Sequence, residues 1–291
     1  MANLKEVKTR ISSVKSTQQI TKAMKMVAAA KLRKAQDYII QMRPYAQKLD
    51  GILKGVSASL DTEDNAYSEE REVNNVLIVA VTSDRGLCGP FNSNIFKATN
   101  ALIAKKYADQ FKDGKVTIMP IGKKALDYFS KRGYNVNKEF ALLFGHLSFE
   151  EAIKAAEFAM KSFKDKKFDS VEIVYNEFKN VATQVICTEQ FLPISAASDG
   201  QDDSVINDYL YQPSQELLVE HLIPSSLRIQ FYKSLLESNA SENGARMTAM
   251  DKATDNAGDL LKVLKLQYNQ TRQAAITNEI LEIVAGADAL G

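Results

Sequence analysis

Stepping alternately by three and four from Leu4, the chain meets Leu4, Val7, Ile11, Val14, Gln18, Thr21, Lys25, Ala28, Leu32, Ala35, Ile39, Met42, Ala46, Leu49, Leu53 and Val56. Thirteen of these sixteen are apolar, and the step never slips. A 3.5-residue period held this long marks a supercoiled helix, not a helix buried in a compact globule. Positions 4–58 would make a rod of about 80 Å at 1.5 Å per residue, with Pro44 inside it as a kink or loosened point. The far end behaves alike. From Ile229 the same stepping runs through Tyr232, Leu236, Asn239, Asn243, Arg246 and Met250 to Ala285, with eleven of seventeen positions apolar. Helix is expected there from about Ser214 to about Gly286, interrupted or bent at Pro224, as a rod of about 110 Å.

The middle follows another rhythm. Residues 76–82 (VLIVAVT) form an all-apolar run suited to a strand buried on both faces. Helices are expected at about 92–111, 123–131 and 148–163, and further strands at 116–121, 171–175 and 183–191. Strands alternating with helices indicate a mainly parallel sheet covered by helices. An acidic stretch at 61–75 and a polar break at 198–204 separate this middle from the rods. The expected division is 1–60 for the first helix, 61–75 for the linker, 76–212 for the α/β domain and 213–291 for the last helix.

If both rods attach on one side of the middle domain, they run antiparallel. The tail helix is then longer by about 17 residues, so ~25 Å of single helix projects beyond Leu4. With Val56 set opposite Ser214, Met24 faces Arg246, and the polar gaps at 18–25 and 239–246 meet at one level. Ile20, Met24 and Val27 add a second apolar face there, which points to a contact with something else.

Composition narrows the function. The 37 Lys and Arg balance 36 Asp and Glu, which excludes a general polyanion binder. The 45% hydrophobic content excludes a disordered chain. No stretch approaches the ~18–20 apolar residues of a membrane span. Two cysteines, Cys88 and Cys187, leave no disulfide framework or thiolate metal site and suit a reducing compartment. Residues 1–50 hold eleven basic residues against three acidic, a local +8. That pattern is shared by organelle transit peptides, by nucleic-acid arms, by a rod held near an acidic partner and by a solvated coiled-coil face. Heptads unbroken from Leu4 leave little to remove as a leader, and the aromatic interleaving of nucleic-acid arms is missing.

The search for chemistry yields little. Asp84-Arg85-Gly86-Leu87-Cys88-Gly89 follows a strand and precedes a helix, where phosphate loops occur. It has neither GxGxxG spacing nor a Gly-Lys-Ser/Thr, and Ile121-Gly122-Lys123-Lys124 lacks the hydroxyl residue. A tight turn is the preferred reading. His146 and His221 stand alone, and Cys88 reads as a small buried thiol. No catalytic residue, cofactor site or metal site is expected. A nucleotide-binding α/β protein with coiled-coil dimerisation arms remains the alternative.

Several runs resemble the gamma subunit of F-type ATP synthases, of bacterial type, over essentially the whole chain. They are Ile20-Thr21-Lys22-Ala23-Met24-Lys25-Met26-Val27-Ala28-Ala29, Arg43-Pro44-Tyr45, the loop from Asp84 to Gly89, and Ala245-Arg246-Met247-Thr248-Ala249-Met250. Ala253-Thr254-Asp255-Asn256-Ala257 and the run from Asn269 to Ile280 match as well. The resemblance implies an α/β chain: a long antiparallel coiled coil of N- and C-terminal helices with an inserted Rossmann-like α/β domain. It implies the central-stalk rotor of the F1Fo ATP synthase, which passes proton-driven rotation of the c-ring to the alpha3beta3 catalytic hexamer. It further implies one copy per complex, no active site of its own and no bound nucleotide. The implied partners are the alpha, beta, epsilon and c subunits, with no nucleic acid. The membrane would be met only peripherally, through the c-ring, on the cytoplasmic side of the bacterial plasma membrane. An axle without threefold symmetry in a pseudo-threefold ring contacts three like sites differently, which is how a partner biases their states.

By match, Arg272 and Gln273 resemble a pair that hydrogen-bonds a beta-subunit loop, a task suited to a planar guanidinium. Met24, Lys25 and Arg246 resemble the mid-shaft contact with beta's acidic lever segment. Thr277, Glu279, Glu282, Ile283 and Val284 match positions at the shaft tip. Tyr209 and Tyr211 fall where the family's foot meets the c-ring and epsilon side, although Gln212 stands where some members are acidic. The cysteine-pair insertion of plastid members is absent, so thiol control of rotation is not expected.

Overall fold

Six apolar residues in a row need cover on both faces, and the sheet supplies it. In the computed structural model, which describes residues 4–57, 66–181, 183–194 and 215–288, β1 (Val76–Val81) is wholly buried. It pairs in parallel with β2 (Val116–Ile121) and β4 (Ser170–Phe178), and β2 pairs in parallel with the short β3 (Asn135–Val136). A tight return after Phe178 brings β5 (Gln184–Leu192) antiparallel to β4, as a short connection requires. The order is β3-β2-β1-β4-β5.

Alternate residues of β1 serve different layers. Leu77, Val79 and Val81 join a core with α5 (Phe149–Lys164) and with Leu227, Phe231 and Leu235 of α6 (Gln215–Asp288). Val76, Ile78 and Ala80 face a second core with α2 (Phe91–Lys106) and α4 (Lys123–Ser130). One continuous helix was expected at 92–111. The structure ends α2 at Tyr107, whose φ of −130° breaks it before α3 (Ala108–Lys112). The buried Tyr107 hydroxyl donates to Glu172 Oε1 at 2.7 Å, and that anchor fixes the break.

The first helix, α1, spans Leu4–Ser57. Every seam position whose side chain is described, from Leu4 to Leu49, is buried or half-buried, as the heptad reading requires. Two compact units result, one formed by the chain up to Ala29 and from Arg246, the other by Ala30–Ala245.

In the first unit the helices run antiparallel, since Lys25 pairs with Asp251, Thr21 meets Thr254, and Gln18 approaches Gly258. This register departs from the expected facing of Met24 and Arg246 by about six residues. That expectation levelled the helices at the middle domain, whereas complementary polar rungs set the true pairing. The expected meeting of the two polar gaps fails for the same reason: positions 18–25 face 251–258 instead. Beyond Ala257 the α6 seam keeps Leu264 and Thr271 where the stepping puts them, but the alternate positions shift by one residue. Leu261, Tyr268 and Ala275 are half-buried, and the expected Leu260, Gln267 and Ala274 are exposed. From Ile276 to Asp288 every residue is exposed, as expected for a helix that outruns its partner.

Candidate functional site

Open α/β sheets bind ligands at the strand C-termini where the strand order reverses, here between β1 and β4. The chain closes the strand C-termini with its own groups, first on the β2 side. The Lys123 amide donates to Asp84 Oδ1 at 2.9 Å, the Lys124 amide to the Ser83 carbonyl at 3.1 Å, and the Ala125 amide to Thr82 Oγ1 at 2.9 Å. These are the free amides with which the N-terminus of α4 would hold a phosphate. Gly122 permits the packing: its φ is +103°, and a Cβ there would lie 2.2 Å from the Thr82 carbonyl oxygen.

On the α2 side, Asn92 Oδ1 accepts the Ser83 amide at 3.0 Å, and Asn92 Nδ2 donates to Ser83 Oγ at 2.8 Å and to Cys88 Sγ at 3.2 Å. Cys88 is buried with Phe91 against Ala245 of α6. The neighbouring Gly244 lies so close that a Cβ would stand 3.3 Å from the Phe178 ring. The crevice thus holds helix and loop, an arrangement that suits the tight-turn reading of residues 84–89 and the buried-thiol reading of Cys88.

His146 and His221 are exposed, and no cluster of three or more His, Cys, Asp or Glu able to hold a metal occurs among the described residues. No described helix is long and apolar enough to cross a membrane.

The surface of the first unit is more informative. At the level of Gln18 and Thr21 the seam is polar and interlocked, between apolar layers that include Val7, Ala28, Ala257 and Leu264. The Thr21 and Thr254 hydroxyls stand 2.8 Å apart, and Gln18 Nε2 donates to the Thr254 carbonyl at 3.5 Å. Outside it, apolar side chains face solvent: Ile20 is 59% exposed, Val27 58%, Val263 61% and Leu266 62%. These side chains leave apolar surface outside the seam that a contact with another molecule would cover.

Of the residues picked from sequence, Met24 is half-buried and Lys25 is engaged by Asp251. Arg246 is half-buried and is not level with Met24. Arg272, Gln273, Thr277, Glu279, Glu282, Ile283 and Val284 are all exposed on the last turns of α6. Tyr209 and Tyr211 lie outside the described residues. Sequence reasoning missed Asp251 and Thr254, whose charge and hydroxyl complement Lys25 and Thr21 and mark the register. It also missed Glu237 and Gly244 of α6.

The profile of the family described as ATP synthase matches residues 3–290. The ATP synthase gamma chain of Cytophaga hutchinsonii is 60% identical over 293 residues, spanning 100% of this chain and 99% of the relative. The chain belongs to the ATP synthase gamma-chain family. The gamma chain of Flavobacterium johnsoniae is 52% identical over 291 residues, again spanning 100% and 99%. Among solved structures, the Euglena gracilis mitochondrial ATP synthase, OSCP/F1/c-ring in rotational state 3, contains a similar chain. The TM-score is 0.66 at 21% identity, covering 99% of this chain and 94% of that one. The rotor of the same enzyme in rotational state 1 gives 0.64 at 22%, covering 94% and 98%. These likenesses carry the fold: two long terminal helices around an inserted α/β sheet.

Proposed function

We propose that this chain is the central-stalk rotor subunit of a bacterial F1Fo ATP synthase, present once per complex. It would carry proton-driven rotation from the c-ring to the alpha3beta3 hexamer and have no active site of its own. The observation that carries the reading is the first unit's helix pair, whose seam is locked by polar rungs set among apolar layers while further apolar side chains stand exposed outside it. Such a pair is fixed internally and adhesive externally, as an axle within a collar must be. The basic excess of residues 1–50 adds attraction to acidic partner segments.

Within that reading, Met24, Lys25 and Arg246 meet the beta subunit along the shaft, and Arg272 and Gln273 bond a beta loop near the tip. Thr277, Glu279, Glu282, Ile283 and Val284 form the tip. Tyr209 and Tyr211 serve the foot, where epsilon and the c-ring dock, so the chain meets the membrane only peripherally, on the cytoplasmic face. Co-expression with tagged alpha and beta subunits tests the reading: a stoichiometric complex with one copy of this chain and ATP hydrolysis is expected. A chain that stays apart from both subunits overturns it.

A further inference from the structure

Glu237 of α6 is 1% exposed, yet it is a carboxylate at the junction of three elements. Its Oε2 accepts the backbone N–H of Phe178 at the end of β4 at 3.2 Å. Its Oε1 lies 3.5 Å from the guanidinium of Arg43 on α1, beside Pro44. One heptad further along α6, Gly244 lies against the ring of the same Phe178, where a Cβ would stand 3.3 Å from the ring and 3.7 Å from Val181 Cα. All these residues belong to one compact unit.

The two holds do a job that apolar packing does poorly. Dispersion contacts are weakly directional, so a helix held by them alone can roll or slide a little at small cost. A buried carboxylate bonded to a strand amide is directional. Rolling α6 would withdraw it and leave both a charge and an N–H buried without partners. At Gly244 the missing side chain lets the Phe178 ring seat directly on the helix backbone. Two holds seven residues apart, about 10.5 Å along the axis, fix both the height and the rotation of α6 against the sheet. A buried ion pair is weak evidence for stability, and its best-attested use is registry.

We propose that Glu237, aided by Gly244, is a positioning residue that locks α6 against rotation about its own axis and so forms the torsional joint between the sheet and the C-terminal helix. The proposal rests on the rotor reading above. It is tested in the assembled complex with a bead on the exposed Lys131→Cys position, where the angular variance of the bead during dwells reports torsional stiffness.

Glu237→Leu should raise that variance about twofold or more, because the hydrogen bond and the charge both go. Glu237→Gln, which keeps an acceptor for the Phe178 amide, should give a smaller rise. Arg43→Met, at a half-exposed side chain whose own removal leaves no cavity, should also raise it, with a lowered melting midpoint because Glu237 loses its counter-charge. Unloaded ATP hydrolysis by the bead-free complexes should stay at the wild-type rate. A purely structural role would lower the melting midpoint without moving the variance. If Glu237→Leu fails to fold, the other two variants decide. Unchanged variance in both Glu237→Gln and Arg43→Met overturns the joint. A wild-type chain that does not assemble or rotate brings down the rotor reading, and the joint with it.

Discussion

The hydroxyls of Thr21 and Thr254 stand 2.8 Å apart, on a seam that elsewhere pairs apolar side chains. With the Lys25–Asp251 ion pair one turn away and Gln18 against Gly258 on the other side, they set the register of the two helices. A polar layer of this kind trades stability for a single alignment. In a double-mutant cycle of Thr21→Val and Thr254→Val, urea unfolding should give a coupling of about 1 kcal/mol. Strict additivity would mean that the two hydroxyls do not act on each other.

Gly122 and Gly133 share a positive φ but differ in surroundings, which separates backbone strain from collision. Gly133 has φ +77° and open space where a Cβ would go, so Gly133→Ala should cost about 1–2 kcal/mol. At Gly122 the Cβ would fall 2.2 Å from the Thr82 carbonyl oxygen, on backbone unable to yield without breaking β1. Gly122→Ala should therefore cost more than about 4 kcal/mol, a large share of a domain's stability. Thermal melts of the two variants should differ widely; equal melting shifts would refute the collision.

The two thiols should react on different schedules. Burial, with Glu177 and Glu189 nearby, pushes the Cys187 thiol up to about 11. Only the thiolate attacks an alkylating agent, so a raised pKa lowers the reactive fraction at neutral pH. Iodoacetamide should label Cys187 slowly at pH 8, with a rate rising about tenfold per pH unit towards 11. Cys88, buried within the loop after β1 against Phe91 and Ala245, should be labelled only on unfolding. Fast labelling of either at neutral pH, followed by peptide mapping, would contradict the environments described.

Where a period repeats, the chain was legible. The stepping from Leu4 picked out the buried face of α1 because seven-residue periodicity leaves one solution for a long helix. The six-residue run of β1 was equally plain. Alternate positions of the α6 seam beyond Ala257 were not, because both Leu260 and Leu261 are apolar, and only the position of α1 chooses Leu261. Register failed for a related reason: burial patterns fix a helix face, and height depends on cross-helix pairs such as Thr21 with Thr254. Glu172 hides in the other direction. It is a buried carboxylate on a central strand, held by Tyr107 and by Lys106 at 2.5 Å, and no hydropathy rule places it inside. Glu237 escaped notice likewise, since its role depends on Arg43 and Phe178, both distant in sequence.

Arg272 separates a contact with a partner from a role in the fold. Its side chain is exposed on α6, and among the described residues no ion pair engages it. Removing an exposed side chain that holds nothing within the chain changes stability by no more than about 0.5 kcal/mol. If its guanidinium instead bonds a beta-subunit loop, the loss appears only in the complex, where a charge-assisted bond of about 1.5–3 kcal/mol is remade at each step. Arg272→Ala should leave the melting of the isolated chain unchanged and should slow ATP synthesis by reconstituted complexes several-fold. Arg272→Lys should recover only part of the rate, because a point charge lacks the planar two-pronged geometry. Synthesis at the wild-type rate in Arg272→Ala complexes would remove this residue from the proposed contact with the beta subunit.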